Sequence, residues 1–372
     1  MAYSYFIGKR KESRLKKLWS VLLVPLAFLI KWLMSLNPAF TEKYYSRGLY
    51  PFIMQPYSKL TGLIPVSIAE LLILSAVIYI LVKIIYLIAS RRTDKKSRFL
   101  SFLVNIIMVA SILFFAQSIV WGINYERLSF ADSANISVRD SSVEELEALC
   151  IKLIENTNML RQQVSEDQNG VMKVEGGFKS LVERAQLGYN EASKIYPFLN
   201  GEYGKPKPVL LSRLMSHTNI IGIFTGLTGE ANVDTDITDM ELPSTIMHEK
   251  AHQHGFANED EANFIAYITC MYHPHADFKY SGSVLALQHS MNALYSVNQD
   301  KYFELMNLFG DGYLRDLNKQ HEYWKQFQGP AKEVAEKIND TYLKMNGIKD
   351  GTKSYGRMVD LLLAEFREKG EI

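Results

Sequence analysis

The sequence predicts a mainly α protein. Three N-terminal transmembrane helices occupy residues 1–125, and an α+β domain over residues 126–372 combines a small sheet, a motif-bearing helix and a helical C-terminal part. Three observations predict this. Three long apolar runs crowd the first third of the chain. The composition turns ordinary after residue 126. Two histidines at helical spacing sit between a strand-like stretch and a series of amphipathic patterns.

The apolar runs cover 18–36, 66–90 and 99–125. Each approaches the roughly 20 residues a helix needs to cross the hydrocarbon core, where a helix satisfies its own backbone hydrogen bonds. Trp19, Trp32, Trp121 and Tyr125 stand toward run ends, where amphipathic rings favour the interface. Pro25 and Lys31 interrupt the first run, and Lys31 lies near enough to one end to snorkel. The tail "KRKESRLKK" and the loop "RRTDKKSR" are strongly basic, whereas the loop between the first two runs carries only Lys43, Arg47 and Lys59 as lysines or arginines. The excess of positive charge places the tail and the second loop in the cytoplasm. With three spans, the C-terminal domain is then extracytoplasmic. A multi-pass protein of the cell membrane, with the lipid bilayer as its first partner, is expected.

The remaining composition excludes more than it identifies. Forty-one basic residues against 40 acidic ones leave no basic excess for nucleic acid. Two cysteines, Cys150 and Cys270, cannot build a disulfide scaffold.

Beyond residue 126, "SSVEELEALCIKLIENTNMLRQQVSE" has helical periodicity behind a serine start signal. "GGFKSLVERAQLGYNEASKIYPFL" reads as a second amphipathic helix. The stretch "KPKPVLLSRLMSHTNIIGIFTGLTGEANVDTD" lacks that periodicity and reads as short strands and turns. Within it, "GIFTGLTGEANVD" has the character of an edge strand that could hold an extended peptide by main-chain pairing. Helices return in "SVLALQHSMNALYSVNQ", "PAKEVAEKINDTYLKMNG" and "YGRMVDLLLAEFREK".

The motif "HEKAH" places His248 and His252 one turn apart on one helix face, with Glu249 offset beside them. Two imidazoles so arranged can hold Zn²⁺, and the glutamate can reach a water on the metal; this is the HExxH arrangement of zinc peptidases. Pro243 suits the first turn of that helix and Gly255 its end. A catalytic zinc takes three protein ligands and keeps a fourth position open. The slot of a third histidine is occupied by Asn258, but Glu259 and Asn263 follow at i, i+4 spacing. Glu259 is favoured as third ligand, with Asn263 fixing a histidine ring from behind. Glu261 is its competitor, about 200° around the helix. Tyr280, Tyr355 and Arg357 are candidate donors to a transition state. The remaining histidines, His217, His254, His273, His275, His289 and His321, read as surface or core residues. The motif lies far along the chain from the last span, in a charged segment, which argues against an intramembrane site.

Three N-terminal spans leading through "WGINYER" to "GLTGEANV", then "HEKAHQHGFANEDEANFIAYI" and "YLKMNGIKDGTKSYGRMVDLL", resemble a bacterial multi-pass membrane family catalogued as domain of unknown function 3810. The resemblance covers nearly the whole chain and implies a membrane-anchored protein with a zincin-like domain. "EDEANFIAYI" is also similar to the glutamate-bearing helix of gluzincin peptidases, which implies Glu259 as ligand. The gap between His252 and Glu259 is much shorter than in thermolysin-like enzymes.

The expected function is a membrane-anchored, zinc-dependent metallopeptidase. It would hydrolyse a peptide or protein substrate through a zinc-activated water, with His248, His252 and Glu259 on Zn²⁺ and Glu249 as general base. The rival expectation is a non-proteolytic zinc-binding envelope module, a sensor or binding protein that retains the metal site.

Overall fold

A computed structural model describes residues 14–90, 94–346, 348 and 357–369. Tyr355, part of the basic tail and part of the 91–98 loop lie outside them. The described chain is mainly helical with one three-stranded sheet, and three of its helices are long and apolar enough to cross a membrane. It is a membrane protein.

The first candidate span, Arg14–Ser35, passes through a 3₁₀ stretch at Leu18–Leu22 and continues as α1 (Leu23–Ser35). The second is α3 (Ile68–Ala89) and the third α4 (Lys95–Val120). The third apolar run, expected to reach 125, stops at Val120 because the chain tightens into a 3₁₀ turn at Gly122–Glu126. That turn carries Asn124 and Tyr125 off the span axis and into the body of the protein. Lys31 does not snorkel. It is buried, its Nζ donates to Asn346 Oδ1 at 2.7 Å, and Glu126 lies 3.6 Å away.

The loop between the first two spans is built structure. A π-helical stretch, Thr41–Leu49, leads into α2 (Tyr50–Thr61). Tyr45, Tyr50 and Met54 from this segment form a buried cluster with Trp121, Tyr203 and Phe224. Glu42 pairs with buried Arg127 at 2.8 Å, and Tyr50 donates to the Gln253 carbonyl at 3.1 Å.

The main core gathers α5 (Val143–Arg161), α6 (Gly177–Ala192), α7 (Leu242–Gln253), α8 (Glu259–Met271), α9 (Ala276–Val297) and α13 (Met358–Lys369). Between α9 and α13 run α10 (Gln299–Met306), α11 (Asp311–Lys325) and α12 (Pro330–Met345). A capping box of Ser142 and Glu145 starts α5, as the sequence indicates. Cys150 and Cys270 are buried free thiols.

The sheet has the order β1 (Lys207–Pro208), β3 (Glu230–Val233), β2 (Gly222–Thr225). β1 runs parallel to β3, and β2 pairs antiparallel, with Gly222 opposite Val233 and Thr225 opposite Glu230. β2 is thus an edge strand. Buried Glu230 ties the sheet to the second span: its carboxylate accepts the Ile68 and Ala69 amides at 3.0 and 2.9 Å and pairs with Lys207. A negative group at a helix N-terminus satisfies amides that have no partner within the helix.

Candidate metal centre

Helix α7 begins with Leu242 and Pro243 and buries nearly its whole length. Proline at the second helical position suits a turn whose amide has no intrahelical acceptor. Ile246, Met247 and Ala251 enter the core, while His248, Glu249 and His252 line a cavity of about 1480 Å³. The helix ends at Gln253, and Gly255 follows with φ +90°, the left-handed region that favours glycine. This reversal lets α8 begin at Glu259 and turn its first side chain back on the two rings. The short gap after His252 is therefore spanned by one glycine-centred turn. Buried Arg127 holds that turn, donating to the Gly255 carbonyl at 3.0 Å with its guanidinium 3.9 Å from the Phe256 ring centre.

Glu259 Oε2 lies 3.2 Å from His248 Nε2 and 3.6 Å from His252 Nε2. One potential ligand atom from each of the three residues falls within 4.8 Å of the others. His252 Nδ1 lies 2.7 Å from the Phe256 carbonyl. A carbonyl only accepts, so Nδ1 carries a proton and Nε2 is the ring nitrogen that faces the cluster. Sequence reasoning assigned the support of a ring to Asn263. The reversal at Gly255 instead places a backbone carbonyl behind the His252 ring, while Asn263 lines the cavity.

The three acids that open α8 point three ways. Glu259 faces the rings. Asp260 pairs with Arg357 at 3.6 Å. Glu261 accepts the buried Phe130 amide at 2.7 Å, so it is turned away from the cluster. Burial opposes ionisation of Glu259, yet the two imidazoles hold its carboxyl well below the usual range. Burial likewise disfavours the His252 cation, but the Glu259 carboxylate outweighs it and pushes the ring up to about 9. Glu249 is pushed up to about 7 by burial. Its Oε2 has no hydrogen-bond partner among the described residues.

Glu249 sits against β2. A Cβ added to Gly222 would come within 2.3 Å of Glu249 Oε1, so glycine is what permits this approach. Trp121, at the end of α4, presents its ring edge-on to His252 with centroids 5.9 Å apart. Tyr342 of α12 lines the same cavity and stands edge-on to Tyr125 at 6.4 Å. Burial raises its phenol pKa, and the charge of Glu259 raises it further.

The other candidates are engaged elsewhere. Tyr280 is buried and donates to Asp316 Oδ2 at 2.7 Å, in a network with Arg161. Arg357 is tied to Asp260. His254 stacks on Tyr189 at 4.2 Å, and burial holds it well below the ordinary histidine range. His273 is a core residue, whereas His289 lines the cavity. Gly222, Trp121 and Tyr342 escaped sequence reasoning. Their signals pointed elsewhere: Trp121 to the membrane interface, Gly222 to an edge strand and Tyr342 to an amphipathic helix.

No curated protein and no solved structure matches the chain. The family model described as "Protein of unknown function (DUF3810)" matches residues 45–363, which takes in the second and third spans, the sheet and the whole His248–Glu259 cluster. With most of its length matched, the chain belongs to the DUF3810 family.

Proposed function

We propose that this chain is a membrane-anchored, zinc-dependent metallopeptidase whose post-span part is a zincin-like domain. The observation that carries the reading is the bond between His252 Nδ1 and the Phe256 carbonyl at 2.7 Å. It holds the ring with Nε2 turned toward His248 and Glu259, where a bound metal would displace the Nε2 proton that Glu259 stabilises. Two imidazole nitrogens and one carboxylate oxygen form the donor set of a catalytic zinc site, with a fourth position left for water or substrate. His248, His252 and Glu259 would hold the ion. When bound, it supplies Lewis acidity toward a scissile carbonyl and toward water.

The chain's own residues supply the rest. β2 offers its free edge to an extended peptide along the cavity wall. Glu249 Oε2, buried and without a partner among the described residues, takes a proton from the attacking water as the carbon–oxygen bond forms. It returns that proton to the nitrogen as the carbon–nitrogen bond breaks. Trp121 and Phe224 flank the site with apolar surface that limits competing water. The basic tail and the 91–98 loop support a cytoplasmic N-terminus and an extracytoplasmic site in the cell membrane.

Metal analysis of the purified full-length protein and of Glu249→Gln tests the reading. One zinc per chain is expected in both, with peptide hydrolysis lowered about 10²–10⁴-fold in the variant. Absence of stoichiometric zinc, or equal hydrolysis by both, overturns it. Zinc without hydrolysis in the wild type would instead establish the non-proteolytic envelope module.

A further inference from the structure

We propose that the site takes its substrate from the bilayer, as a peptide tethered by its own apolar segment and bound next to that segment. This rests on the metallopeptidase reading and adds the substrate class.

The cavity that holds the cluster does not end in the soluble part. Phe28 of α1 and Leu113 and Phe114 of α4 line it together with His248, Glu249 and His252. Phe28 and Leu113 lie seven residues before the ends of their helices at Ser35 and Val120. At 1.5 Å per residue, the cavity descends about 10 Å into the spans. Phe28 and Leu113 are also exposed, although they lie within the apolar helices. Exposed apolar residues that line the cavity at this depth of the spans place its mouth beside the bilayer.

The upper lip of that mouth is α12. Val334, Ile338, Tyr342 and Met345 form one stripe at i, i+4, i+8 and i+11. They are exposed, with Ile338 at 65 %, and three of the four line the cavity. An exposed apolar stripe opposite a face of lysines and acids is the pattern of a helix lying at a membrane interface. The bond from Lys31 to Asn346 pins the end of α12 to the first span.

One continuous space thus runs from lipid-facing side chains to the edge strand β2 and Glu249. The apolar end suits a segment leaving the hydrocarbon core. The edge strand suits the extended peptide that follows it, because its main-chain groups pair with a peptide and not with an acyl chain. A tethered peptide therefore fits both ends.

The test uses the full-length chain carrying Glu249→Gln in phosphatidylcholine vesicles, so that capture needs no turnover. A photo-crosslinking benzoylphenylalanine replaces Ile338, or, as a lipid-facing control on α3, Ile78. Two probes share one polar peptide, and one of them also carries an apolar helix of about 20 residues. Capture of the tethered probe at 338 is expected to exceed both its capture at 78 and capture of the free peptide by about tenfold or more. Equal capture at both positions, equal capture of both probes, or labelling of lipid alone overturns the proposal. Cleavage by the wild-type chain separates this inference from the reading beneath it. Free peptide cleaved as fast as tethered peptide removes the bilayer route and keeps the hydrolase. Selective capture with neither probe cleaved keeps the route and removes the hydrolase.

Discussion

Trp121 and His252 stand edge to face with ring centroids 5.9 Å apart, although one closes the third apolar helix and the other belongs to the motif of the soluble sequence. The contact sets the His248–His252–Glu259 cluster directly on the end of a span. Trp121 also packs against Phe224 at 4.8 Å and Tyr50 at 6.2 Å, and it is 4 % exposed. Trp121→Ala should therefore lower stability by about 3–5 kcal/mol, the usual loss for truncating a large buried aromatic. Thermal unfolding in detergent, with and without zinc, measures it. A loss under 1 kcal/mol would mean that this packing does not join span and site.

The opposed directions of Glu259 and Glu261 give a second expectation. Glu259→Gln removes a carboxylate that faces both rings, and zinc affinity should fall by more than the roughly 10–100-fold typical of an outer-shell partner. Glu261→Gln should keep zinc binding and change stability by only about 1 kcal/mol. Burial already pushes Glu261 up to about 7, and the amide oxygen can still accept from Phe130. Competition titration with a zinc chelator compares the two variants, and the opposite ranking would reassign the ligand.

Gly222→Ala is expected to act on Glu249 without touching the metal ligands. The new methyl would lie 2.3 Å from Glu249 Oε1 and must displace it. A shift of about 1 Å in a catalytic group can cost about 100-fold in rate. The variant should keep its zinc and lose about that factor in kcat, measured by steady-state hydrolysis. Unchanged kcat would remove Glu249 from the chemistry.

Local regularities account for what the sequence made legible. The spans announce themselves by length and hydropathy, and α7 by Pro243, the i, i+4 histidines and Gly255. Glu259 is found by its position on the next helix. The hidden parts depend on contacts between distant segments. The direction of Glu261 depends on the Phe130 amide, Tyr280 is taken by Asp316, and the wall behind the motif comes from residues 41–61, which lack a clean amphipathic period. Chain distance also misled. The motif lies far along the sequence from the third run, yet the Gly122–Glu126 turn and the aromatic cluster bring it to the span's end. The support behind the His252 ring is a backbone carbonyl, which residue patterns cannot show.

His273 gives a pH dependence distant from the metal ligands. It is fully buried on Phe278, its Nε2 donates to the Arg184 carbonyl at 3.1 Å, and its Nδ1 accepts the His275 amide. Burial lowers its pKa to about 4; the facing groups are His275 and the Arg184–Asp277 ion pair. The unfolded chain titrates near 6.5 and so binds more protons between those values. The stabilisation is complete above about 6.5 and is lost as pH falls toward 4, up to about 3 kcal/mol. Denaturant unfolding at pH 7 and pH 4.5 should show this slope in the wild type and a flatter one in His273→Gln. Equal slopes would show that His273 does not carry the dependence.

Tyr342 is a further candidate for the donor sought in the sequence among Tyr280, Tyr355 and Arg357, of which Tyr355 lies outside the described residues. Tyr280 has given its hydroxyl to Asp316, and Arg357 is held by Asp260. Tyr342 lines the cavity, and its phenol feels the charge of Glu259. Although the ring is partly exposed, desolvation comes first among the causes that raise its pKa, against lowering by hydrogen bonds with Tyr125, Trp121 and Gln117, so the phenol stays protonated at neutral pH. A donor aimed at the oxygen where charge develops is worth about 10²–10³ in kcat. Tyr342→Phe keeps the ring and its edge contact with Tyr125 while deleting only the hydroxyl. A fall in kcat of about 10² with KM and zinc content unchanged is expected from steady-state kinetics and metal analysis. A rise in KM alone would make Tyr342 a wall of the cavity, and no change in either constant would leave the developing charge to the metal.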